Sequence, residues 1–248
     1  MTFEKTRKGN PLQLTIDQHF HSAHSIAKFY NEKDKVEVFE FNSKQVLERN
    51  KKAKIFCAKR NWDERAERGY MVGIESRFHK QIDNILSFNN RDHSAISKYF
   101  CLWRLRHKFH LDRLPNAQLF GLEGETFTKS QQEITEYNGV GYLNQSAEIS
   151  ARQLTGDQIQ IGIVQLMQTF GDIKWGLLES KEGQYICADA YHEVCLIPIS
   201  PTLAFGGNLP DKQLSKQEVA QVNEYSLQSA SEFYFAQNLN KCPIAKTK

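Results

Sequence analysis

The chain has 248 residues, of which 40% are hydrophobic and 25% are charged, and its formal net charge is +3. This length can bury a sizeable core, and the composition is that of a globular protein, which argues against wholesale disorder. The net charge is too small to indicate a nucleic-acid binder by itself, although it does not exclude one.

Neither the ends of the chain nor its cysteines indicate export. The N-terminus has basic residues without an apolar stretch after them, which excludes a secretory signal, and no run approaches the roughly 18 apolar residues of a membrane span. Five cysteines without a CxxC pair predict free thiols in a reducing compartment. We therefore expect one cytoplasmic domain over residues 1–248, no membrane partner, and flexible tails at residues 1–10 and 241–248.

A histidine-rich stretch lies near the N-terminus, at residues 18–30. It contains His19, His21 and His24, followed by apolar residues. Imidazoles donate, accept and ligate near neutral pH, so their clustering indicates polar chemistry at a partly buried place. The alternative is that His21 and His24 lie on the surface and only His19 is fixed.

Two strands are expected after this stretch. Residues 36–41 alternate between apolar and polar types, which is typical of a half-buried strand. Residues 43–50 resemble a polar linker, and residues 53–58 resemble a second strand. The two strands would form a small antiparallel ribbon that a helix must cover.

Two amphipathic helices follow. The first begins near Tyr70, and its edge carries Glu75, His79 and Asp83 at four-residue spacing. For Asp83 we favour a solvated ladder of charges, whereas Glu75 lies closest to the apolar stripe and is expected to point inward. Asp92 or Ser94 can cap the second helix.

The second helix places Arg106 within its apolar arc. An arginine there either extends its head to water or pairs with a buried carboxylate. His107 and His110 could share a metal ion at this spacing, but hydrogen-bonded core histidines fit the pattern better because no third ligand is evident.

The remainder predicts one more helical stretch and then strands. Residues 146–149 open the helix, which continues to about residue 170 with 155–157 as a potential break. Strands are then expected on both sides of a hairpin turn at residues 181–183, at 193–198, at 202–205 and at 233–236, with a capping box at Ser215 and Glu218 opening a helix between the last two. The pattern predicts an α+β fold, with a helical middle region packed on an antiparallel sheet from N-terminal and C-terminal segments.

Several of these segments resemble a large uncharacterised bacterial family, catalogued as domain of unknown function 4238. Its members open with a pattern like HHYVPQFYLRNF, which is similar to His19-Phe20 here, and carry a glutamate in their first long helix, similar to Glu75. A late Ser-Asp-Asn-Pro resembles the segment around Asp189, and an asparagine in a late helix resembles Asn223. Where the family has Val-Pro and Asn-Pro, this chain has His21-Ser22 and Ala190-Tyr191. The chain therefore resembles a distant member of the family. It implies no settled activity.

Two functions remain open from the sequence. In the first, the protein is a hydrolase acting on an anionic substrate such as nucleic acid. The catalytic candidates are His19, Glu75 and Asp189, and the substrate-binding candidates are Arg106, Asn223 and His24. A metal-dependent version would use His19 with the two carboxylates and a divalent ion such as Mg²⁺ or Mn²⁺. In the second, the protein is a non-catalytic interaction or regulatory module, such as a component of a bacterial defence or toxin system, and the polar cluster is structural.

Overall fold

The computed structural model describes residues 3–245 and shows an α+β protein. Helices make up 40% of it and strands 18%, and the strands form mainly antiparallel sheets packed with helices, which confirms the predicted fold class. No helix in the described part of the chain is both long and apolar enough to cross a membrane.

The N-terminal segments form five short elements. They are β1 (Asp17–His19), α1 (Ala23–Ala27), β2 (Val36–Glu40), β3 (Gln45–Arg49) and β4 (Cys57–Lys59). β1 pairs antiparallel with β4, and β2 pairs antiparallel with β3. The predicted second strand of the ribbon is therefore wrong. The segment taken as a linker is β3, an exposed edge strand that needs few apolar residues, whereas residues 54–56 form a short 3₁₀ turn.

Six α-helices follow in the rest of the described residues. They are α2 (Glu64–Ala66), α3 (Val72–Asp83), α4 (His93–Leu111), α5 (Lys129–Tyr137), α6 (Ala151–Phe170) and α7 (Lys216–Ser229). A π-helical turn over Glu67–Met71 joins α2 to α3, so the first long helix begins six residues before the predicted start at Tyr70. The side chain of Asp92 caps α4 by accepting the Ala95 N–H at 2.9 Å, as predicted.

The start of α6 differs from the prediction. Glu148–Ile149 is β6, which pairs with β5 (Ala117–Gln118), and the helix begins only at Ala151. The expected break at residues 155–157 is also wrong, since α6 runs through it. Gly156 lies where another side chain would collide with the α2 region: a Cβ there would come within 2.6 Å of an Asp63 carboxylate oxygen. Close packing explains this glycine.

The C-terminal strands belong to two sheets. They are β7 (Trp175–Ser180), β8 (Cys187–Ala188), β9 (Leu196–Pro198), β10 (Leu203–Gly207), β11 (Lys212–Leu214) and β12 (Phe233–Ala236). One four-stranded sheet has the order β11-β7-β10-β9, and the other has the order β3-β2-β12-β8. The predicted hairpin at residues 181–183 is therefore wrong. The chain does turn at Gly183, with φ +92°, but it passes from one sheet to the other.

The main core lies between the two sheets and helices α1, α3 and α4, and large aromatic residues such as Trp103, Trp175 and Phe233 fill it. The capping box at Ser215 and Glu218 and the five free cysteines are as predicted. Both expected tails make contacts where the structure describes them: Arg7 pairs with Glu133, and Cys242 is buried. The remaining tail positions, residues 1–2 and 246–248, lie outside the described residues.

Candidate functional site

A buried ion pair joins the two long central helices. Arg106 of α4 is 1% exposed, and its Nη1 donates to Glu75 Oε1 of α3 at 2.6 Å. Its Nη2 lies 3.3 Å from the Met71 sulfur and 3.7 Å from Glu67 Oε2. The inward position of Glu75 is as predicted, and of the two alternatives left open for Arg106 the structure shows the pairing with a carboxylate. Because carboxylates occupy both ends of the guanidinium, Arg106 is suited to hold these side chains in place rather than to bind an anionic substrate.

Glu67, the second carboxylate of this group, was missed by sequence analysis. It begins the π-helical turn, in which Gly69 has φ −88° and ψ −113°. Glu67 and Glu75 are eight residues apart, which in a regular helix separates them by about 80°. The extra residue of a π-turn reduces the separation to about 20° and places both carboxylates on one face. The available sequence signal for this turn was Gly69, a glycine inside a helical pattern.

The protonation state of Glu67 is set mainly by burial. Loss of water raises the pKa of this carboxyl, although Arg106 and the indole N–H that Trp62 donates to it act in the opposite direction. The Arg106 guanidinium also lies over the Trp62 ring, 5.2 Å from its centre. Glu67 therefore keeps its proton to a higher pH than an ordinary glutamate does.

His19 lies at the end of β1, next to this cluster, and is partly buried. Its Nε2 is 2.6 Å from the Lys51 carbonyl oxygen, which can only accept, so Nε2 carries the ring proton. In the neutral ring Nδ1 is then an unprotonated acceptor, and no described residue donates to it. Burial lowers the pKa of His19, and the Arg106 charge lowers it further. His19 is therefore a neutral base near pH 7.

The other two histidines of the N-terminal stretch have different environments. His21 is 2% exposed, stacks 4.0 Å from the Trp103 ring centre and accepts at Nδ1 from the Tyr99 hydroxyl at 3.0 Å. Burial lowers its pKa to about 3. His24 is exposed and bonds to Asp83 at 2.8 Å, outside the cluster. The surface interpretation therefore holds for His24 and fails for His21.

Asp189 does not join His19, Glu75 and Arg106, which corrects its prediction as a catalytic residue of the same site. Its carboxylate is buried against α4 and accepts the backbone N–H groups of Ala190, Ser231, Glu232 and Phe233 as well as the Ser231 hydroxyl. These bonds fix the connection that enters β12. Five donors surround a single carboxyl, so its role in the described structure is architectural.

Asn223 is also placed elsewhere. It lies on α7, accepts the Ile186 N–H at 2.8 Å and donates to the carbonyl oxygens of Gln184 and Pro243, each at 2.9 Å. The side chain thus ties the connection between the two sheets to the C-terminal segment. Both predicted residues are buried and fully hydrogen-bonded, but they serve the C-terminal part of the fold.

One group of described residues, His107, Asp189 and Glu232, has ligand atoms close enough together to bind a metal. Its chemistry does not fit an ion. The Asp189 oxygens already accept N–H and O–H groups, and Glu232 pairs with His110 at 2.9 Å. The predicted metal set of His19 with Glu75 and Asp189 is not brought together in residues 3–245.

No protein-family model, no curated protein and no solved structure matches this chain. The resemblance to the uncharacterised family 4238 remains a prediction.

Proposed function

We propose that the protein is a hydrolase whose acid–base pair is His19 and Glu67, held in place by Arg106 and Glu75. The observation that carries the proposal is the opposite direction of the two pKa shifts at one cluster. Burial lowers the pKa of His19 and raises that of Glu67. A neutral imidazole is the state that a general base requires, and a carboxyl with a raised pKa keeps the proton that a general acid donates to a higher pH.

The free Nδ1 of His19 is the atom that would take a proton from the attacking water. Its Nε2–H is anchored on the Lys51 carbonyl, which fixes the ring orientation and the tautomer. Glu67 would donate its proton to the leaving oxygen. Arg106 and Glu75 position these groups, and the π-helical turn supports the proposal because such turns are frequent at functional sites.

The substrate class we propose is a phosphodiester such as nucleic acid. Arg106 is neutralised by carboxylates, so the anion must be held elsewhere. The loop between β3 and β4 contains Lys51, whose carbonyl oxygen contacts His19, and the exposed Lys52 and Lys54. Lysines on a surface loop suit contacts to phosphate oxygens.

The test is hydrolysis of bis-p-nitrophenyl phosphate and of a single-stranded oligonucleotide by the wild-type protein and by H19Q, E67Q and a matched control, H192Q. His192 is a partly buried histidine that lies 3.3 Å from His107 of α4, and no hydrogen bond among the described residues joins it to the cluster. We expect H19Q and E67Q each to lower kcat by about 100-fold or more, and H192Q to keep the wild-type rate. No hydrolysis by the wild-type protein above background, or equal rates for H19Q and H192Q, would contradict the proposal.

The second candidate is a non-catalytic interaction or regulatory module, such as a defence-system or toxin-system component. The architectural roles of Asp189 and Asn223 favour it, because two of the predicted site residues hold the fold together. In that case H19Q would alter the free energy of unfolding and the wild-type protein would not hydrolyse either probe.

A further inference from the structure

A cavity of about 400 Å³ lies at the N-terminal end of α6, away from His19. Three arginines line it: Arg60 after β4, Arg113 after α4 and Arg152 in the first turn of α6. Its volume lies within the range of small-molecule sites, where a few polar groups set the ligand chemistry.

Arg60 has unused hydrogen-bonding capacity in this cavity. It is 3% exposed, and its Nη2 donates to Glu136 at 2.7 Å. Its Nε and Nη1 have no hydrogen-bond partner within residues 3–245. A buried guanidinium with two free donors is costly unless an acceptor is supplied, and a ligand oxygen would supply one.

The positive charge of the cavity exceeds its negative charge. Arg152 is 3% exposed and shares Glu136 with Arg60. Arg113 is partly exposed and has no ion pair in the described part of the chain. The cavity therefore combines three guanidinium groups with one carboxylate from the core of the fold, that of Glu136.

The first turn of α6 adds to this field. The helix has 20 residues, no acidic residue in its first turn and no side-chain cap from Ser150, and the Asn116 side chain accepts the Ala151 N–H at 2.8 Å. Its N-terminal dipole is therefore not offset by a local carboxylate. Such an end attracts anions, and phosphate groups in particular.

An acidic side chain from the N-terminal segment already occupies this place. Glu4 pairs with Arg152 and with Lys129, and both Phe3 and Glu4 line the cavity. Glu4 is separated from Arg152 by 148 residues, so the pairing is a tertiary contact and not a local one. A carboxylate in a cluster of arginines is the intramolecular equivalent of a bound oxyanion.

We propose that this cavity binds the phosphate group of a small phosphorylated molecule and that Glu4 covers the site when no ligand is bound. Ligand phosphate would displace the Glu4 carboxylate and accept from Arg60, Arg113 and Arg152. The apparent affinity would equal the intrinsic affinity multiplied by the fraction of molecules in which Glu4 leaves the cavity open. The inference is independent of the acid–base cluster.

The test is calorimetric titration with inorganic phosphate and pyrophosphate at constant ionic strength. The variants are E4Q, the double variants E4Q/R113Q and E4Q/R77Q, and the wild-type protein. Arg77 is the matched control, because it is an exposed arginine whose removal deletes the same charge far from the cavity. We expect E4Q to bind phosphate at least fivefold more tightly than the wild-type protein.

In the E4Q background, R113Q should weaken phosphate binding about tenfold, whereas R77Q should leave it unchanged. Because Arg113 has no ion pair in the described residues, its replacement should not impair folding, and equal melting temperatures would verify this. The proposal is overturned if E4Q binds no more tightly than the wild-type protein, or if R77Q weakens binding as much as R113Q does.

Discussion

Arg106 Nη1 and Glu75 Oε1 lie 2.6 Å apart and connect α4 to α3 through a charge pair inside the core. The arginine is almost fully buried, whereas the glutamate side chain keeps 21% of its surface exposed. Packing therefore fixes the Arg106 end of the pair, whereas the Glu75 end lies at the edge of the cluster that contains His19. This arrangement suits a positioning role for Arg106.

Replacing Arg106 by methionine should destabilise the protein. The change leaves Glu75 and Glu67 without their cation, and loss of one partner of a buried pair typically costs about 3–5 kcal/mol. Because both carboxylates are 21% exposed, we expect a smaller loss of about 2–3 kcal/mol in the free energy of unfolding, measured with urea. R77M is the control, since Arg77 and Asp92 form an exposed pair, and it should change the free energy by less than about 0.5 kcal/mol. Equal effects of the two variants would contradict the account.

The sequence predicted this pair because both residues lie on regular helices. Glu75 and Arg106 sit at the edges of apolar stripes, where helical projection locates a side chain well. Glu67 could not be predicted in the same way, because the π-helical turn changes the phase of the helix between Glu67 and Glu75. Helical projection therefore gives the wrong face for Glu67, because the π-helical turn inserts one extra residue into the helix.

Strand pairing was harder to predict than helix position. β3 is exposed and polar, so its sequence resembles a linker, and its pairing with β2 depends on the tight turn at Lys44, where φ is +54°. The chain also changes sheets after Gly183, which a local turn signal cannot reveal. For the same reason the sequence could not show that Asp189 serves the β12 connection, since the partners that it has there, at residues 231–233, are more than 40 residues away.

His21 should make stability depend on pH. Its pKa is near 3 in the folded protein and 6.5 in the unfolded chain, so below pH 6.5 the unfolded state binds the proton first and stability falls. Between pH 7 and pH 5 the loss from this group is about 2 kcal/mol. The H21Q variant lacks this imidazole. Its free energy of unfolding should therefore fall by about 2 kcal/mol less than that of the wild-type protein between pH 7 and pH 5. Identical pH dependence in wild type and H21Q would refute this assignment.

Asp189 should be required for folding rather than for activity. In D189N a neutral amide replaces a carboxylate that accepts from the Ser231 hydroxyl and several backbone N–H groups, so donors lose their charged acceptor. We expect a loss of about 2–3 kcal/mol in the free energy of unfolding, with unchanged kcat in the fraction that is folded. D83N, which alters an exposed pair, serves as the control and should cost less than about 1 kcal/mol. A stable D189N protein that lacks activity would instead place Asp189 in the site.

The close approach of α6 to Asp63 and Ala66 predicts opposite effects for two glycine substitutions. G156A puts a methyl group 2.6 Å from the Asp63 oxygen and should cost about 1–3 kcal/mol. G73A, on α3, has open space around the new methyl group and should stabilise the helix by about 0.5–1 kcal/mol. Thermal unfolding of both variants measures their stabilities relative to the wild-type protein. Unchanged stability of G156A would show that α6 can move away from Asp63 and Ala66 without cost.

The central claim, that His19 and Glu67 act as base and acid, is tested most directly by the pH dependence of phosphodiester hydrolysis. The rate should rise with pH as His19 loses its proton, at a pKa below the usual 6.5, and fall as Glu67 loses its proton, at a pKa above the usual 4.5. The profile of kcat/KM for bis-p-nitrophenyl phosphate should therefore be bell-shaped with an acidic optimum. E67Q should lose the alkaline limb and H19Q the acidic limb. Retention of both limbs in both variants would contradict the claim.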